Sequence, residues 1–157
     1  MRMIFAMAAA LVLAACNPMA QMSDADTQID QFHGHYSSGD YDAIYEMADS
    51  QFHQAVNPKD WADVMAVVST NLGAVEDSSQ TGFNINTDNG VTTTTITRET
   101  TFELDEGTET FIFVGSGEDM KLLNWEVVSE ALLEPARGEA SGKPEAETAK
   151  PEAEPVS

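Results

Sequence analysis

Apolar residues recur at helical spacing through the first half of the chain and alternate at strand spacing through the second. Ile29, Phe32 and Tyr36 follow one another at intervals of three and four residues, which is the spacing of one helix face. Ser23 opens this segment as an N-cap residue, and Gly39 closes it. The pattern predicts a first amphipathic helix between these two residues.

Two more helices are predicted before the composition changes. Asp40 is predicted to cap the second helix, because its short carboxylate side chain can accept hydrogen bonds from the free backbone N–H groups of the first turn. Asn57-Pro58 begins the third, since proline is favoured at the first helical position, and Gly73 ends it. The apolar stripe of the second helix consists of Tyr41, Ile44, Tyr45, Ala48 and Phe52.

After residue 73 the chain is rich in Thr, Val, Ile and Phe, separated by turn sequences. The turns at 88–90, 105–107 and 115–117 contain glycine and indicate hairpins between antiparallel neighbours. Helices followed by strands indicate an α+β fold, with three helices packed on one face of a four-stranded antiparallel sheet. The predicted strands cover residues 75–86, 91–104, 108–114 and 120–128.

The first sixteen residues have the features of an export signal. Arg2 precedes an apolar run over 3–15, which is shorter than the roughly 20 residues of a membrane span. The sequence LAAC at 13–16 resembles the lipobox of bacterial lipoproteins, whose cysteine is lipidated and becomes the first residue of the mature chain. The resemblance implies a signal peptide at 1–15 and a membrane anchor on Cys16.

The segments that flank the folded region are predicted from the same resemblance and from composition. Asn17 occupies the position where an aspartate retains enterobacterial lipoproteins in the inner membrane, which favours the outer membrane, facing the periplasm. Residues 16–22 are predicted as a short tether. Residues 135–157 hold four of the six prolines and no aromatic residue, which predicts a disordered tail, either a spacer or a docking segment.

The net charge limits the partners that the chain can bind, and the cysteine count limits its disulfides and metal sites. The chain has 27 acidic and 7 basic residues, a formal net charge of −20, and such a field repels nucleic acid and anionic lipid surfaces. Its single cysteine excludes an internal disulfide and any multi-cysteine metal site.

Several structural motifs occur together in the predicted domain, residues 23–134. They are FHGHYSSGDYDAIY at 32–45, Phe52, Trp61, Leu72-Gly73 and TETF at 108–111. In this combination they resemble small bacterial lipoproteins of unknown function with a cystatin-like, nuclear-transport-factor-like domain. The resemblance implies helices against a curved sheet, forming a cone. It implies no active site, because that superfamily ranges from isomerases to interaction modules.

Arg98 is the only arginine between residues 24 and 134. In the second predicted strand it falls on the face that carries the apolar residues. One hypothesis makes its guanidinium an anchor for a ligand carboxylate, bound through two parallel hydrogen bonds. The alternative is a structural pair with an internal acid such as Glu109, or a position at the strand edge.

His33, Tyr36 and Tyr45 are the other candidates for ligand binding. His33 lies in the apolar stripe of the first helix and could act as acid or base near neutral pH; the alternative is a hydrogen-bonded core histidine. His35 lies roughly 200° away around the helix, so the two rings cannot chelate one ion. No metal site, cofactor or catalytic residue is predicted.

These observations favour a non-enzymatic binding or accessory module that the lipid on Cys16 holds at the envelope. Its partner would be an envelope protein or a small apolar ligand. The alternative is an enzyme of the isomerase type, in which His33 or a buried acid works with the tyrosines in a cone-shaped pocket. A third hypothesis makes the exposed sheet face a homodimer interface.

Overall fold

The computed structural model describes residues 17–133, so the predicted signal peptide at 1–15, Cys16 and the predicted tail at 135–157 lie outside the described residues. Helices precede a four-stranded antiparallel sheet, which confirms the predicted α+β fold class. The helices are α1 (Pro18–Ser38), α2 (Tyr41–Glu46), α3 (Ser50–Ala55) and α4 (Pro58–Leu72). The strands are β1 (Val75–Asp88), β2 (Val91–Phe102), β3 (Glu106–Val114) and β4 (Lys121–Ser129), with a 3₁₀ turn at Gly117–Asp119 before β4.

Helix α1 begins earlier than the apolar pattern predicts. The Asn17 side chain accepts a hydrogen bond from the Met19 backbone N–H at 3.1 Å, and Pro18 occupies the first helical position. Residues 18–22, predicted as part of a tether, are therefore helical, and the N-cap assigned to Ser23 is wrong.

A buried glutamine attaches the start of α1 to the sheet. The Gln21 side-chain amide donates to Thr94 Oγ1 at 3.0 Å and to the Gly115 carbonyl at 2.8 Å. Gln21 is polar and therefore contributes nothing to an apolar stripe, yet it is only 8% exposed. The other end of α1 is as predicted, with Gly39 in the left-handed conformation at the C-cap.

The second predicted helix is two helices, so the prediction of three helices is wrong in number. Between α2 and α3 the chain runs beside β4, where the Leu122 N–H donates to the Met47 carbonyl at 3.1 Å and the Asp49 N–H donates to the Leu122 carbonyl at 2.7 Å. Asp49 then caps α3 by accepting the Gln51 N–H at 2.8 Å. These backbone hydrogen bonds to β4 divide into two helices the segment whose apolar stripe predicts a single one.

The sheet has the order β1-β2-β3-β4, with every neighbouring pair antiparallel, and its strand boundaries lie within two residues of the predicted ones. Asn89 and Gly90 both have positive φ, at 49° and 81°, and form the two-residue turn between β1 and β2. These are local turn signals, which explains why the sequence locates the strands well.

The core lies between the helices and one face of the sheet. Phe32 of α1 packs edge-on against Phe111 of β3, with ring centroids 5.2 Å apart, and its ring is tilted by 43° against Trp125 of β4, at 5.1 Å. Trp125 continues to Trp61 of α4 at 6.0 Å, and Trp61 to Phe52 of α3 at 5.1 Å. A continuous series of aromatic contacts therefore joins α1, the sheet, α4 and α3.

The opposite face of the sheet is rich in threonine. Thr93, Thr95 and Thr97 alternate with the core residues of β2 and are half-buried, as are Ile112 and Val114 on β3. A homodimer through this face stays a prediction. No helix within residues 17–133 has the length and apolar character that crossing a membrane requires.

Replacing Gly115 by alanine is expected to lower the free energy of unfolding by about 3 kcal/mol. Its φ is +92°, and an added Cβ would lie 2.6 Å from the Asp119 carbonyl oxygen. The matched control is Gly117→Ala, where φ is +59° and no atom lies within 4 Å of the added carbon, so about 1 kcal/mol is expected. Urea denaturation measures both, and equal losses would contradict the role of the close contact.

Candidate functional site

Arg98 is held inside the protein by three acceptors. Its Nη1 donates to Asp26 Oδ1 on α1 at 2.9 Å, its Nε to Ser78 Oγ on β1 at 2.9 Å, and its Nη2 to the Ser78 carbonyl at 3.0 Å. The side chain of Arg98 is 13% exposed, whereas that of Asp26 is 46% exposed. Glu109 lies opposite Arg98 in the β2–β3 register, but the guanidinium forms no hydrogen bond to its carboxylate. The guanidinium therefore joins α1 to β1 and β2.

Glu109 is a buried carboxylate, 1% exposed, with donors from three elements. His33 Nε2 of α1 lies 2.8 Å from Oε2, Thr100 Oγ1 of β2 donates to Oε2 at 2.5 Å, and Trp125 Nε1 of β4 donates to Oε1 at 2.9 Å. His33 is thus a hydrogen-bonded core residue, although its ring edge reaches the surface at 11% exposure. These bonds replace the water that the carboxylate loses on burial.

Two hydroxyl groups connect the arginine to the glutamate. Thr100 donates its proton to Glu109, so Ser78 Oγ, 2.8 Å away, donates to Thr100 and accepts from Arg98. The chain of donors therefore has one direction, from the guanidinium to the carboxylate. Neither His33 nor Glu109 lines either of the two cavities described below.

Tyr45 lies apart from these groups. Its hydroxyl donates to the Val56 carbonyl at 2.9 Å, and its ring stacks on His53 with centroids 4.4 Å apart. It fastens α2 to α3 and the turn that follows. The four residues predicted for ligand binding therefore do not form one site: Arg98 and His33 share a network, to which neither Tyr36 nor Tyr45 is hydrogen-bonded.

One surface cavity, of about 250 Å³, lies between the start of α1 and the turn end of the β1–β2 hairpin. It contains Pro18, Ala20 and Ile85, and the Asn17 side chain at its rim is already used as a helix cap. Gln21, its buried polar group, is satisfied by the sheet. Its lining also includes Asp24, Ser116 and the hydroxyl groups of Thr87 and Thr92, which lie 3.0 Å apart and hydrogen-bond to each other.

A second surface cavity, of about 350 Å³, lies where α1 and α4 end, and we call it the Tyr36 pocket. Its wall consists of residues 36–39 and Tyr41 beyond the last turn of α1, Ser69, Gly73 and Ala74 at the end of α4, and Glu103 after β2. The wall is mostly polar, with hydroxyl, carboxylate and backbone groups.

Tyr36 is the buried part of this wall. It is 3% exposed and packs on Phe102 with ring centroids 6.0 Å apart, yet its hydroxyl has no hydrogen-bond partner. A buried hydroxyl left without a partner costs about 1–3 kcal/mol. Burial raises the pKa of the Tyr36 phenol well above its usual range, and the nearby Tyr41 phenol and Glu109 carboxylate raise it further. The group therefore stays a neutral phenol that can both donate and accept.

Gly73 and Glu103 shape the opposite side of the pocket. Glu103 Oε2 accepts the Ala74 N–H at 2.8 Å, and the Glu103 N–H donates to the Ala74 carbonyl at 3.0 Å. A Cβ on Gly73 would lie 2.8 Å from Glu103 Cβ, so only glycine lets the glutamate fold across the end of α4. Gly73 also has positive φ, at 78°.

Glu103 and Tyr41 were not among the residues predicted to form a site. In the second predicted strand, Glu103 falls on the face opposite to the apolar residues. Only the turn after β2 brings it to the end of α4. The sequence suggests Glu109 as a partner of Arg98 and as nothing else. Among residues 17–133 the structure brings together no group of three or more His, Cys, Asp and Glu side chains that could hold a metal ion.

No protein-family model and no curated protein sequence matches the chain. Among solved structures the chain is similar to Bd1075 of Bdellovibrio bacteriovorus, with 14% sequence identity and a TM-score of 0.45. The match covers 68% of this chain and 40% of that protein, so the chain spans less than half the length of this structural neighbour. It is a distant match between an α+β fold and a bacterial protein.

Arg98→Met is expected to lower the free energy of unfolding by about 2 kcal/mol, because it removes three hydrogen bonds and an ion pair at a mostly buried position. Lys59→Met is the control, since it breaks the exposed Lys59–Asp63 pair and should leave the urea midpoint unchanged. A stable Arg98→Met protein would revive the hypothesis that Arg98 serves a ligand.

Tyr36→Phe is expected to leave stability at neutral pH unchanged or to raise it by about 1 kcal/mol, because the lost hydroxyl has no partner. The matched control, Tyr45→Phe, should lower it by about 1 kcal/mol through loss of the bond to Val56. Chemical denaturation at pH 7 compares the two variants. Destabilisation by Tyr36→Phe equal to that by Tyr45→Phe would show that the Tyr36 hydroxyl has a partner.

The same variant tests the raised pKa. The unfolded chain loses the Tyr36 proton near pH 10, whereas the folded protein retains it at higher pH. The unfolded state then binds fewer protons, so this group's contribution to stability, intact below pH 10, declines as pH rises beyond it. Wild-type protein should lose more stability than Tyr36→Phe between pH 9 and 11. Parallel curves would contradict the shift.

Proposed function

We propose that the chain is a lipid-anchored binding module of the bacterial cell envelope, without enzymatic activity, that takes a small polar ligand in the Tyr36 pocket. The observation that carries the binding function is a surface cavity of about 350 Å³ whose wall is mostly polar and includes Tyr36 and Glu103. Hydroxyl, carboxylate and backbone groups of this wall can form hydrogen bonds with a polar ligand. The polar wall favours a polar ligand over the small apolar one expected from the sequence.

The anchor rests on the resemblance of residues 13–16 to a lipobox. Asn17, the next residue after Cys16, already caps α1, so an acylated Cys16 would hold the start of this helix at the membrane surface. Helix α1 has 21 residues and is therefore about 30 Å long. The Tyr36 pocket, at its far end, would then lie away from the lipid and be accessible from the periplasm of an outer-membrane protein.

The module is also proposed to share the cystatin-like, nuclear-transport-factor-like architecture, because its helices pack on one face of a four-stranded antiparallel sheet. An enzyme of the isomerase type is the second candidate, and the contact between His33 and Glu109 is the observation that favours it. It ranks lower because Glu109 already binds three donors and neither residue lines the described cavities.

Cells that express the protein and grow on a labelled fatty acid are expected to incorporate the label, and Cys16→Ser is expected to abolish incorporation and move the protein to the soluble fraction. The Cys16→Ser variant should keep the wild-type urea midpoint after purification, which controls for misfolding. Label retained on the serine variant, or an unlabelled wild-type protein in the soluble fraction, would refute the anchor.

A further inference from the structure

The two edges of the sheet differ in how far they are covered. The strand order makes β1 and β4 the outer strands. The Met47 carbonyl and the Asp49 N–H both bond to Leu122, so part of the β4 edge is closed. Within residues 17–133, no segment pairs with the outer side of β1, which has 14 residues and none of them buried. An unpaired edge presents free backbone N–H and C=O groups to other chains.

Residues 82–87, which we call the β1 edge, are the regular part of this outer strand. A bulge at Thr81 precedes them and Asp88 follows them. Sheet edges are usually protected by lysine, proline or charged side chains. The β1 edge contains none of these, and the chain has no charged residue from Ser78 to Thr87 despite its net charge of −20. No side chain of the β1 edge therefore opposes pairing with another strand.

Every second residue of the β1 edge directs its backbone groups outward. Asp88 and Val91 flank a two-residue turn and are therefore a hydrogen-bonded pair, and the direction of the backbone groups alternates from there along the strand. The Thr92 carbonyl accepts the Gly115 N–H on the β3 side at 2.9 Å, so the backbone groups of Thr92 and its partner Thr87 point away from each other. The outward backbone groups are those of Phe83, Ile85 and Thr87.

The side chains of the β1 edge offer an apolar face to an added strand. Phe83 pairs with the buried Ile96 of β2 and so lies on the helix face of the sheet, yet it is 56% exposed. Ile85, two residues further on, lies on the same face and lines the cavity at the start of α1. Apolar side chains at alternate positions of an added strand would cover both residues.

We propose that the β1 edge binds an extended segment of a partner protein as a fifth, antiparallel strand. The segment carries β-branched residues opposite Phe83 and Ile85, and basic residues at its ends. Backbone hydrogen bonds supply the affinity of such a complex, and the alternate side chains supply its specificity. Basic ends are favoured because acids flank the β1 edge on both sides, Asp88 after it and Glu76-Asp77 before it. This inference goes beyond the proposed function, since it concerns a surface other than the Tyr36 pocket.

Charge and geometry favour a separate protein over two other strands that could pair here. A second copy of the chain carries the same net charge of −20. Antiparallel pairing with it would also place the two starts of α1 at opposite ends of the joint sheet, because α1 begins beside the β1–β2 turn, and both proposed anchors precede α1. Residues 135–157 of the chain itself hold four prolines, which lack the N–H that a strand ladder requires.

The test uses the purified Cys16→Ser variant, labelled with ¹⁵N, and the synthetic peptide acetyl-KTVTVTK-amide. The peptide reads the same in both directions, its valines can face the apolar side chains of the β1 edge, and its lysines can face the flanking acids. Binding is expected to be saturable and to slow hydrogen exchange at the outward amides. These are the amides of Phe83, Ile85 and Thr87. The amides of Asn84 and Asn86, which face β2, should exchange at an unchanged rate.

Two N-methylated peptides separate strand pairing from the general attraction of a cationic peptide to an acidic protein. In an antiparallel pair, the residues opposite Phe83 and Ile85 direct their N–H groups to the β1 edge. Methylation of both valine nitrogens is therefore expected to weaken binding by at least about tenfold. Methylation of two threonine nitrogens, which point away from the protein, is the matched control and should change the Kd by less than about twofold.

The contribution of the exposed ring is measured with Phe83→Thr, which is expected to weaken peptide binding by about fivefold. The matched control is Val67→Thr on α4, which should change the Kd by less than about twofold. Both side chains are more than half exposed, so both variants should remain folded.

The preference for basic ends is measured with acetyl-ETVTVTE-amide, which keeps the strand pattern and reverses the charge. It is expected to bind at least about tenfold more weakly than the lysine peptide at low ionic strength. Equal binding of the two peptides would overturn the charge preference.

Contrary results overturn the added strand. Equal Kd values for the two methylated peptides would show attraction without strand pairing, and equal Kd values for Phe83→Thr and Val67→Thr would remove the ring from the site. Slow exchange at the outward amides before any peptide is added would show that a second copy or another part of the chain covers the β1 edge, and sedimentation at several protein concentrations would identify which. None of these measurements depends on the lipid anchor or on the Tyr36 pocket, so the proposed function is tested separately.

Discussion

A carboxylate removed from water costs several kcal/mol unless donors surround it, and the burial of Glu109 imposes that condition on the whole fold. Its donors are His33, Thr100 and Trp125, which belong to α1, β2 and β4. The carboxylate on β3 is therefore satisfied only when α1 lies on the sheet and the strands are in register. Aromatic and aliphatic side chains fill the core, and the hydrogen bonds of Glu109 fix one arrangement of the elements around it.

The single arginine of the folded region belongs to the same network. A one-directional series of hydrogen bonds runs from Arg98 through Ser78 and Thr100 to Glu109, and Asp26 compensates the guanidinium from α1. In a chain with a net charge of −20, an internal cation placed between acids reduces repulsion where it costs most. The residue that looked most like a ligand anchor thus has a sufficient structural role.

The two ends of α1 differ in the same physical terms. At the start, Gln21 is buried and its side-chain amide donates to two acceptors of the sheet. At the end, the Tyr36 hydroxyl is buried without a partner. The buried polar side chain is therefore hydrogen-bonded at one end of the helix and unpartnered at the other.

Local chemistry explains what the sequence predicted and part of what it missed. Turns such as Asn89-Gly90 and caps such as Asp40 depend on a few adjacent residues, and they are where the sequence places them. Asn17-Pro18 has the same signature that correctly starts α4, so the true start of α1 was available in the sequence but lay inside the predicted tether. The break between α2 and α3 was not available, because Leu122 causes it from β4.

By itself the sequence determined the α+β class, the order of helices and strands and the hairpin turns, because periodicity and turn preference act over a few residues. The tertiary structure decided which acid Arg98 pairs with, which donors surround Glu109, and that Tyr36 and Glu103 share a pocket. Those outcomes depend on contacts between residues far apart in the chain, whose energies exist only once the helices lie on the sheet.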